Sequence, residues 1–340
     1  MEELPSRLQA AIARSFPEYE GPQVNDLVCL NSGWESDVYA FRLDYKMDGE
    51  RGQRDLVLRM YPGGYAAVKA RDEYRALAML HRMGYPVPEV YRVETSGDSL
   101  GQPFLIMERV EGVSLWLLMF DGPMEQRDDW LRLFCKLFVQ LHSLDWRPYL
   151  PEEVDKYADP YACVRIQFEQ ALWQVKNMGM SAEFTPLLDW FNMRRLDVPC
   201  TRPAVVHWDF HPQNILVRPD GSAVVIDWTG ATISDPRFDL AWSLLLIEAY
   251  IGTEFRARVL AEYENQSNGA VPGMDFFDAF ACARRLFSVA GSIKAGAGTL
   301  GMRPGAEEVM KKQVEPLRRV ADRLKAITGL APVNVDEILR

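Results

Sequence analysis

Val206-His207-Trp208-Asp209-Phe210-His211-Pro212-Gln213-Asn214-Ile215-Leu216-Val217, continued by Ala223-Val224-Val225-Ile226-Asp227-Trp228, is the stretch on which the reading of this chain turns. Two short β-like runs frame a loop that carries Asp209 and Asn214, and the second run ends on Asp227. Asp and Asn side chains offer oxygen atoms that suit a hard cation such as Mg²⁺. An Asp on a loop beside such a cation can also orient a hydroxyl and take its proton. The residues between Asn214 and Asp227 leave room for a strand, a turn at Pro219-Asp220-Gly221 and a second strand. A hairpin brings its two ends together, so Asn214 and Asp227 could share one ion. The competing reading is a solvated β-hairpin with ordinary turn residues. It requires four polar positions and two β runs to coincide by accident.

The chain is 340 residues long, enough for two domains or one two-lobed unit. With 48% apolar and 25% charged residues it has the composition of a soluble globular protein with a sizeable core. A net charge of −10 argues against a nucleic-acid binder, whose footprint would be a basic stripe. The five cysteines, at 29, 135, 163, 200 and 282, are odd in number and lack metal spacing. They read as reduced thiols in a cytoplasmic protein. The start, Met1-Glu2-Glu3-Leu4-Pro5, is acidic and polar rather than a signal peptide, and the apolar run at 240–247 is far too short to span a bilayer. No membrane partner is expected, and nothing in the sequence fixes an oligomeric state.

Outward from the loop, the N-terminal third reads as β-rich. Residues 5–16 form a short amphipathic helix, with Leu8, Ile12 and Phe16 four apart. Strands follow at 28–30 and 38–43, joined by a turn at 31–37, and a third strand at 55–60 carries Arg59 on the side opposite Leu58. A helix over 66–83 places Glu73 early enough to reach back to Arg59, although a Glu on a helix most often faces solvent. Strands at 90–93 and 104–108 complete the set. Beyond about 112 the pattern is helical: 127–143, 160–178, 183–195, 253–266, 274–292 and 304–328. His142 reads as a packing histidine. Glu152, Glu153 and Asp155 form an acidic patch that by default is a solvated face. Asp239 stands at a helix start, where a carboxylate caps N–H groups.

Taken together, Arg59, Glu73, the crossover Met107-Glu108-Arg109-Val110-Glu111-Gly112, the His207–Asn214 loop, Ile226-Asp227-Trp228 and Asp235-Pro236-Arg237-Phe238-Asp239 resemble the aminoglycoside phosphotransferase/choline kinase-like superfamily over about residues 30–260. The resemblance implies an α+β, protein kinase-like two-lobed fold: a five-stranded antiparallel β lobe, a larger helical lobe, and nucleotide in the cleft. The lobes would be residues 1–108, binding nucleotide, and 109–340, carrying the catalytic loop and acceptor site. Carried over by position, Asp209 would be the base, and Asn214 and Asp227 would hold Mg²⁺. Arg59, paired with Glu73, would contact the phosphates of ATP or GTP. Ser32, Gly33 and Val38 would lie over those phosphates, though only Gly33 and Val38 match a Gly-x-Gly-x-x-Gly-x-Val loop. Glu108 and Val110 would offer backbone groups to the base. His207 would organise the loop from a buried position, and His211 would either face the acceptor or pack.

Three positions depart from the family pattern. Trp208 stands where a Gly commonly precedes the catalytic Asp, the third-strand cation is Arg59 rather than Lys, and the phosphate loop is poor in glycine. The implied activity is in-line transfer of a γ-phosphoryl group from Mg·NTP to a small-molecule hydroxyl. The acceptor could be an aminoglycoside, towards which the acidic patch points faintly, or a metabolite such as a sugar, choline, ethanolamine or homoserine. A protein kinase fits less well: Asp227-Trp228-Thr229 replaces Asp-Phe-Gly and no Ala-Pro-Glu follows. A catalytically weak nucleotide-binding module is the remaining alternative, kept open by Trp208.

Overall fold

A computed structural model describes residues 3–32, 36–296, 298 and 306–339, with only the backbone for 31, 32, 306 and 307. The described chain divides into two compact units. One, the β unit, holds residues up to 113 together with 216–229; the other, the helical unit, holds most of the remainder.

The β unit begins with helix α1 (Leu4–Ser15), whose Leu8, Ala11 and Ile12 are buried. Five strands follow: β1 (Glu20–Ser32), β2 (Asp37–Met47), β3 (Glu50–Met60), β4 (Val90–Glu94) and β5 (Phe104–Glu108), with α2 (Ala66–Arg82) between β3 and β4. They form one antiparallel sheet in the order β1-β2-β3-β5-β4. The first three strands run well past the spans expected from the sequence. Two features hid that length. β1 carries bulges that break its alternation. β2 and β3 extend as an arm closed by Asp48 and Gly49, both at positive φ, the geometry a two-residue hairpin turn demands. One sheet face packs on α1 through Leu43, Leu56, Leu58 and Ile106. Because side chains alternate along β3, Arg59 projects to the other face, towards α2. The hairpin of β8 (Ile215–Val217) and β9 (Ala223–Val225) carries the chain on to Asp227.

After β6 (Val113–Ser114), the helical unit contains α3 (Leu115–Phe120), α4 (Arg127–His142), α5 (Ala162–Asn177), α6 (Ser181–Arg194), β7 (Ala204–Val206), β10 (Thr232–Ser234), α7 (Pro236–Tyr250), α8 (Thr253–Ser267), α9 (Met274–Ala295), α10 (Ala306–Met310), α11 (Val314–Thr328) and α12 (Val335–Ile338). The helix expected over 304–328 is therefore two, interrupted before Val314. Partly buried ion pairs link α8 to α9, Arg256 to Asp278 at 2.6 Å, and α11 to α7, Arg323 to Glu248 at 2.9 Å. The short β7–β10 ladder, Val206 opposite Thr232, launches the His207–Asn214 loop from the core. No helix among the described residues is long and apolar enough to cross a membrane.

Candidate active site

The loop after β7 is pinned from beneath by Asp239. This carboxylate, fully buried on α7, accepts the backbone N–H of His207 at 2.6 Å and that of Trp208 at 2.8 Å. The expectation that Asp239 caps the helix is corrected: Asp235 caps α7, accepting the N–H of Arg237 at 3.0 Å, and Asp239 braces the loop instead. The two residues sit four apart on a helix start, and sequence alone does not say which one turns outward. Behind Asp239 stands His142, 3.5 Å away and bonded to the Tyr263 hydroxyl at 2.8 Å. His142 thus packs, as its sequence setting implied, and it packs against the brace.

His207 is buried, and its Nδ1 accepts the N–H of Asp209 at 3.3 Å. Phe210 anchors the loop in the core, its ring stacked 4.1 Å from that of Phe138. His211 caps the turn Pro212–Asn214 by accepting the N–H of Gln213 at 3.2 Å, while its Nε2 lies 3.4 Å from Oδ2 of Asp209. His211 therefore bridges the turn and the Asp209 carboxylate.

Asp209 itself remains half-exposed, at 47% of its side-chain surface. Its Oδ1 accepts the indole N–H of Trp242 at 2.8 Å, and Asn214 Nδ2 donates to its backbone carbonyl at 3.0 Å. Burial of the carboxyl pushes its pKa upwards. The charge and hydrogen bond of His211, the Trp242 indole and His207 outweigh that and hold it well below the usual carboxylate range. A carboxylate so placed stays ionised and can accept a hydroxyl hydrogen bond.

Trp208 adopts φ +66°, the left-handed region that a bulky residue rarely enters. This is why Gly suits the position. The ring stays off the loop by lying on Phe238, 5.6 Å between centroids, and under the Arg284 guanidinium at 5.2 Å. Arg284 also donates to the Trp208 carbonyl at 3.0 Å and lies 4.0 Å from the Trp242 ring centre. Gly230 leaves the room required, since a Cβ there would stand 3.2 Å from the Trp208 Cβ.

The β unit brings a second group together. Arg59, only 7% exposed, is bonded by Nε to Ser36 Oγ at 2.9 Å, by Nη1 to Glu73 at 2.8 Å and by Nη2 to Asp227 at 2.8 Å. Glu73 is buried, not solvent-facing, and also takes the Tyr61 hydroxyl. Burial disfavours charge on Arg59, but the carboxylates of Asp227 and Glu73 more than compensate and keep it protonated. Burial lifts the Glu73 carboxyl above its ordinary range despite Arg59. Asp227, also at positive φ (68°), accepts from Thr229 Oγ1 at 3.2 Å.

Val38 pairs with Arg59 across the β2–β3 ladder. Ser32 ends β1 without a described side chain, and Gly33 lies outside the described residues. Glu108 directs its N–H to the Glu89 carbonyl at 2.8 Å and its carboxylate to Arg218, and Val110 is half-buried beyond it. Tyr61, Ser36, Trp242 and Arg284 escaped the sequence reading, because each acts through a contact distant in sequence. Asp235 entered it only within the Asp235–Asp239 motif, although an Asp before Pro at a helix start carried a local signal of its capping role.

Comparison with known proteins follows this geometry. The profile of the phosphotransferase enzyme family matches residues 26–280. Hygromycin-B 4-O-kinase of Escherichia coli is 26% identical over 243 residues, 69% of this chain and 66% of that protein. Acyl-CoA dehydrogenase family member 10 of Mus musculus is 26% identical over 227 residues, 65% of this chain. The chain spans only 20% of that relative's length. Among solved structures, a thermostable mutant of aminoglycoside phosphotransferase APH(4)-Ia in ternary complex with AMP-PNP and hygromycin B superposes with a TM-score of 0.56 at 18% identity, covering 95% of this chain and 98% of that one. Its small antiparallel sheet and larger helical part are the fold found here.

Proposed function

The chain belongs to the phosphotransferase enzyme family, and from that premise we propose that it transfers the γ-phosphoryl group of Mg·ATP directly to a hydroxyl of a small molecule. The observation that carries the reading is Asp209: an ionised, half-exposed carboxylate on a loop whose backbone a buried carboxylate holds in place.

In this reading the acceptor hydroxyl donates to Asp209 and is aimed by it. Phosphoryl transfer passes through a loose transition state, in which the proton is lost late. A carboxylate of low basicity therefore serves mainly to orient the oxygen and receives the proton as the new bond forms. His207, Trp242 and the Asp239 brace fix where the carboxylate stands. The β unit, residues 1–108 with the crossover, takes the nucleotide, and the helical part within 109–340 takes the acceptor. Arg59 supplies a fixed positive charge for the phosphates, held by Glu73.

The donor chemistry fits Mg²⁺. Asp227 offers a carboxylate with 40% of its side-chain surface exposed, and Asn214, whose amide nitrogen is spent on Asp209, offers the amide oxygen. Mg²⁺ is usually held through one or two protein oxygens together with the phosphates. When bound, it would neutralise charge developing on the transferred group.

The test is an NTP-consumption screen, with ATP and GTP in parallel, against amino sugars, antibiotics, amino alcohols, sugars and hydroxy acids. Asp209→Ala should lower turnover by about 10²–10⁴-fold. Unchanged turnover in that variant sinks the proposal.

A further inference from the structure

The helical unit holds a half-open cavity of about 460 Å³, within the range of about 300–1,000 Å³ usual for small-ligand sites. Its walls come from α5, α6 and α9, and Trp208 closes one side. The α6 and α9 walls are apolar: Phe184, Leu187 and Phe191 face Phe280 and Phe287. The α5 wall differs. Gln167, Gln170 and Gln174 recur at helical spacing and line the same space. Among the described residues, the charged ones lining this space are Lys156 and Arg284, both cations, with no carboxylate.

That lining is at odds with a polycationic acceptor. A buried ammonium needs a carboxylate or it is strongly disfavoured. The acidic patch does not supply one: Glu153 is paired with Lys156 at 2.8 Å, and Glu152 and Asp155 are exposed outside the cavity. Apolar walls instead favour a hydrocarbon or aromatic body, and glutamine amides complement carbonyl, ether or hydroxyl groups. The cavity also borders the loop that carries Asp209. Trp208 immediately precedes Asp209, and Arg284, another lining residue, stacks on the Trp242 that holds the Asp209 carboxylate.

Resting on the phosphoryl-transfer reading, we infer that the acceptor is an alcohol with an apolar body and no cationic centre, held in this cavity. Calorimetry tests it independently of turnover, with hydroxydodecanoic acid, phenylpropanol and kanamycin as probes. Ala283, on the α9 wall, provides the control: Ala283→Trp fills the space. Gln170→Glu, an exposed change at the α5 wall, adds an anion without disturbing the fold.

The expected result is binding of at least one of the two apolar alcohols and none of kanamycin. The heat should vanish in Ala283→Trp, and Gln170→Glu should weaken the hydroxy acid by about threefold while sparing phenylpropanol. If Ala283→Trp fails to fold, competition between the two apolar alcohols in the wild-type protein replaces it, and simple competition supports a shared site. Kanamycin binding that Ala283→Trp abolishes overturns the inference, as does the absence of any cavity-dependent binding by both alcohols. Binding as described without phosphorylation in the presence of Mg·ATP would instead overturn the catalytic reading and leave the ligand class standing.

Discussion

Trp242 donates its indole N–H to Oδ1 of Asp209 across 2.8 Å, from the middle of a buried helix to a loop 33 residues earlier. The bond fixes one carboxylate oxygen and leaves the other towards His211 and Asn214. In Trp242→Phe the ring is retained in part and the donor is lost. Turnover should fall roughly tenfold, with the nucleotide KM unchanged, because only acceptor alignment is affected. Steady-state kinetics with both substrates varied will read the split.

Asp209 also predicts a pH profile. Its carboxyl lies well below the usual range in the folded protein, so it binds its proton more weakly folded than unfolded. The sign follows: this group contributes stability above the ordinary Asp value of about 3.9, and the contribution is lost as pH falls through the folded value. An acid limb in kcat/KM should therefore not arise from Asp209 at pH 5 and above, a bound of about one unit over the ordinary value. His211→Asn removes the leading favourable charge and should move any acid limb from Asp209 upwards, towards the ordinary Asp value of about 3.9. A pH–rate series on both proteins decides it.

Glu73→Ala strips Arg59 and Tyr61 of a buried partner. Removing one member of a buried ion pair costs about 3–5 kcal/mol, which urea denaturation will show. Glu73→Gln keeps the hydrogen bonds and should cost less. If Arg59 serves the phosphates, both variants raise the nucleotide KM while leaving acceptor binding untouched.

Asp239→Ala leaves two loop N–H groups buried without an acceptor, at a cost of about 2–4 kcal/mol. Asp239→Asn, which still offers one oxygen, should recover part of the stability. Chemical denaturation compares the two, and amide exchange at His207 and Trp208 locates the loss.

Trp208→Gly and Trp208→Ala separate backbone strain from stacking. Both remove the contacts with Arg284 and Phe238, but only Gly accepts φ +66° without penalty. The Gly variant should be the more stable of the two by about 1 kcal/mol. Both should raise the acceptor KM. Equal stability of the pair would mean that the loop conformation is not strained.

The parts of this protein written in the sequence are those whose chemistry is local. The His207–Asn214 loop, the Asp227 terminus of its hairpin and a cation on the third strand all have fixed spacing, and the structure places them on the expected elements. Trp242 and Arg284 were illegible because each sits among apolar residues of a helix and gains its role only by meeting the loop. Trp208 was visible as an anomaly but not as a solution, since its left-handed φ and the space left by Gly230 are properties of two segments at once. The length of β1 is hard to see because Pro22 and Asp26 are residue types disfavoured in strand interiors, yet bulges absorb them.

Trp208 belongs at once to the loop that aims Asp209 and to the wall of the cavity. Selection for a new acceptor therefore cannot act on that wall residue without also altering the pace of the reaction. A lineage that keeps its speed must change its diet elsewhere, and α5 is the wall that permits it: its glutamines can be exchanged singly, far from the loop, each redrawing the polar end of the molecule received. Relatives that share this tryptophan should then diverge first along α5.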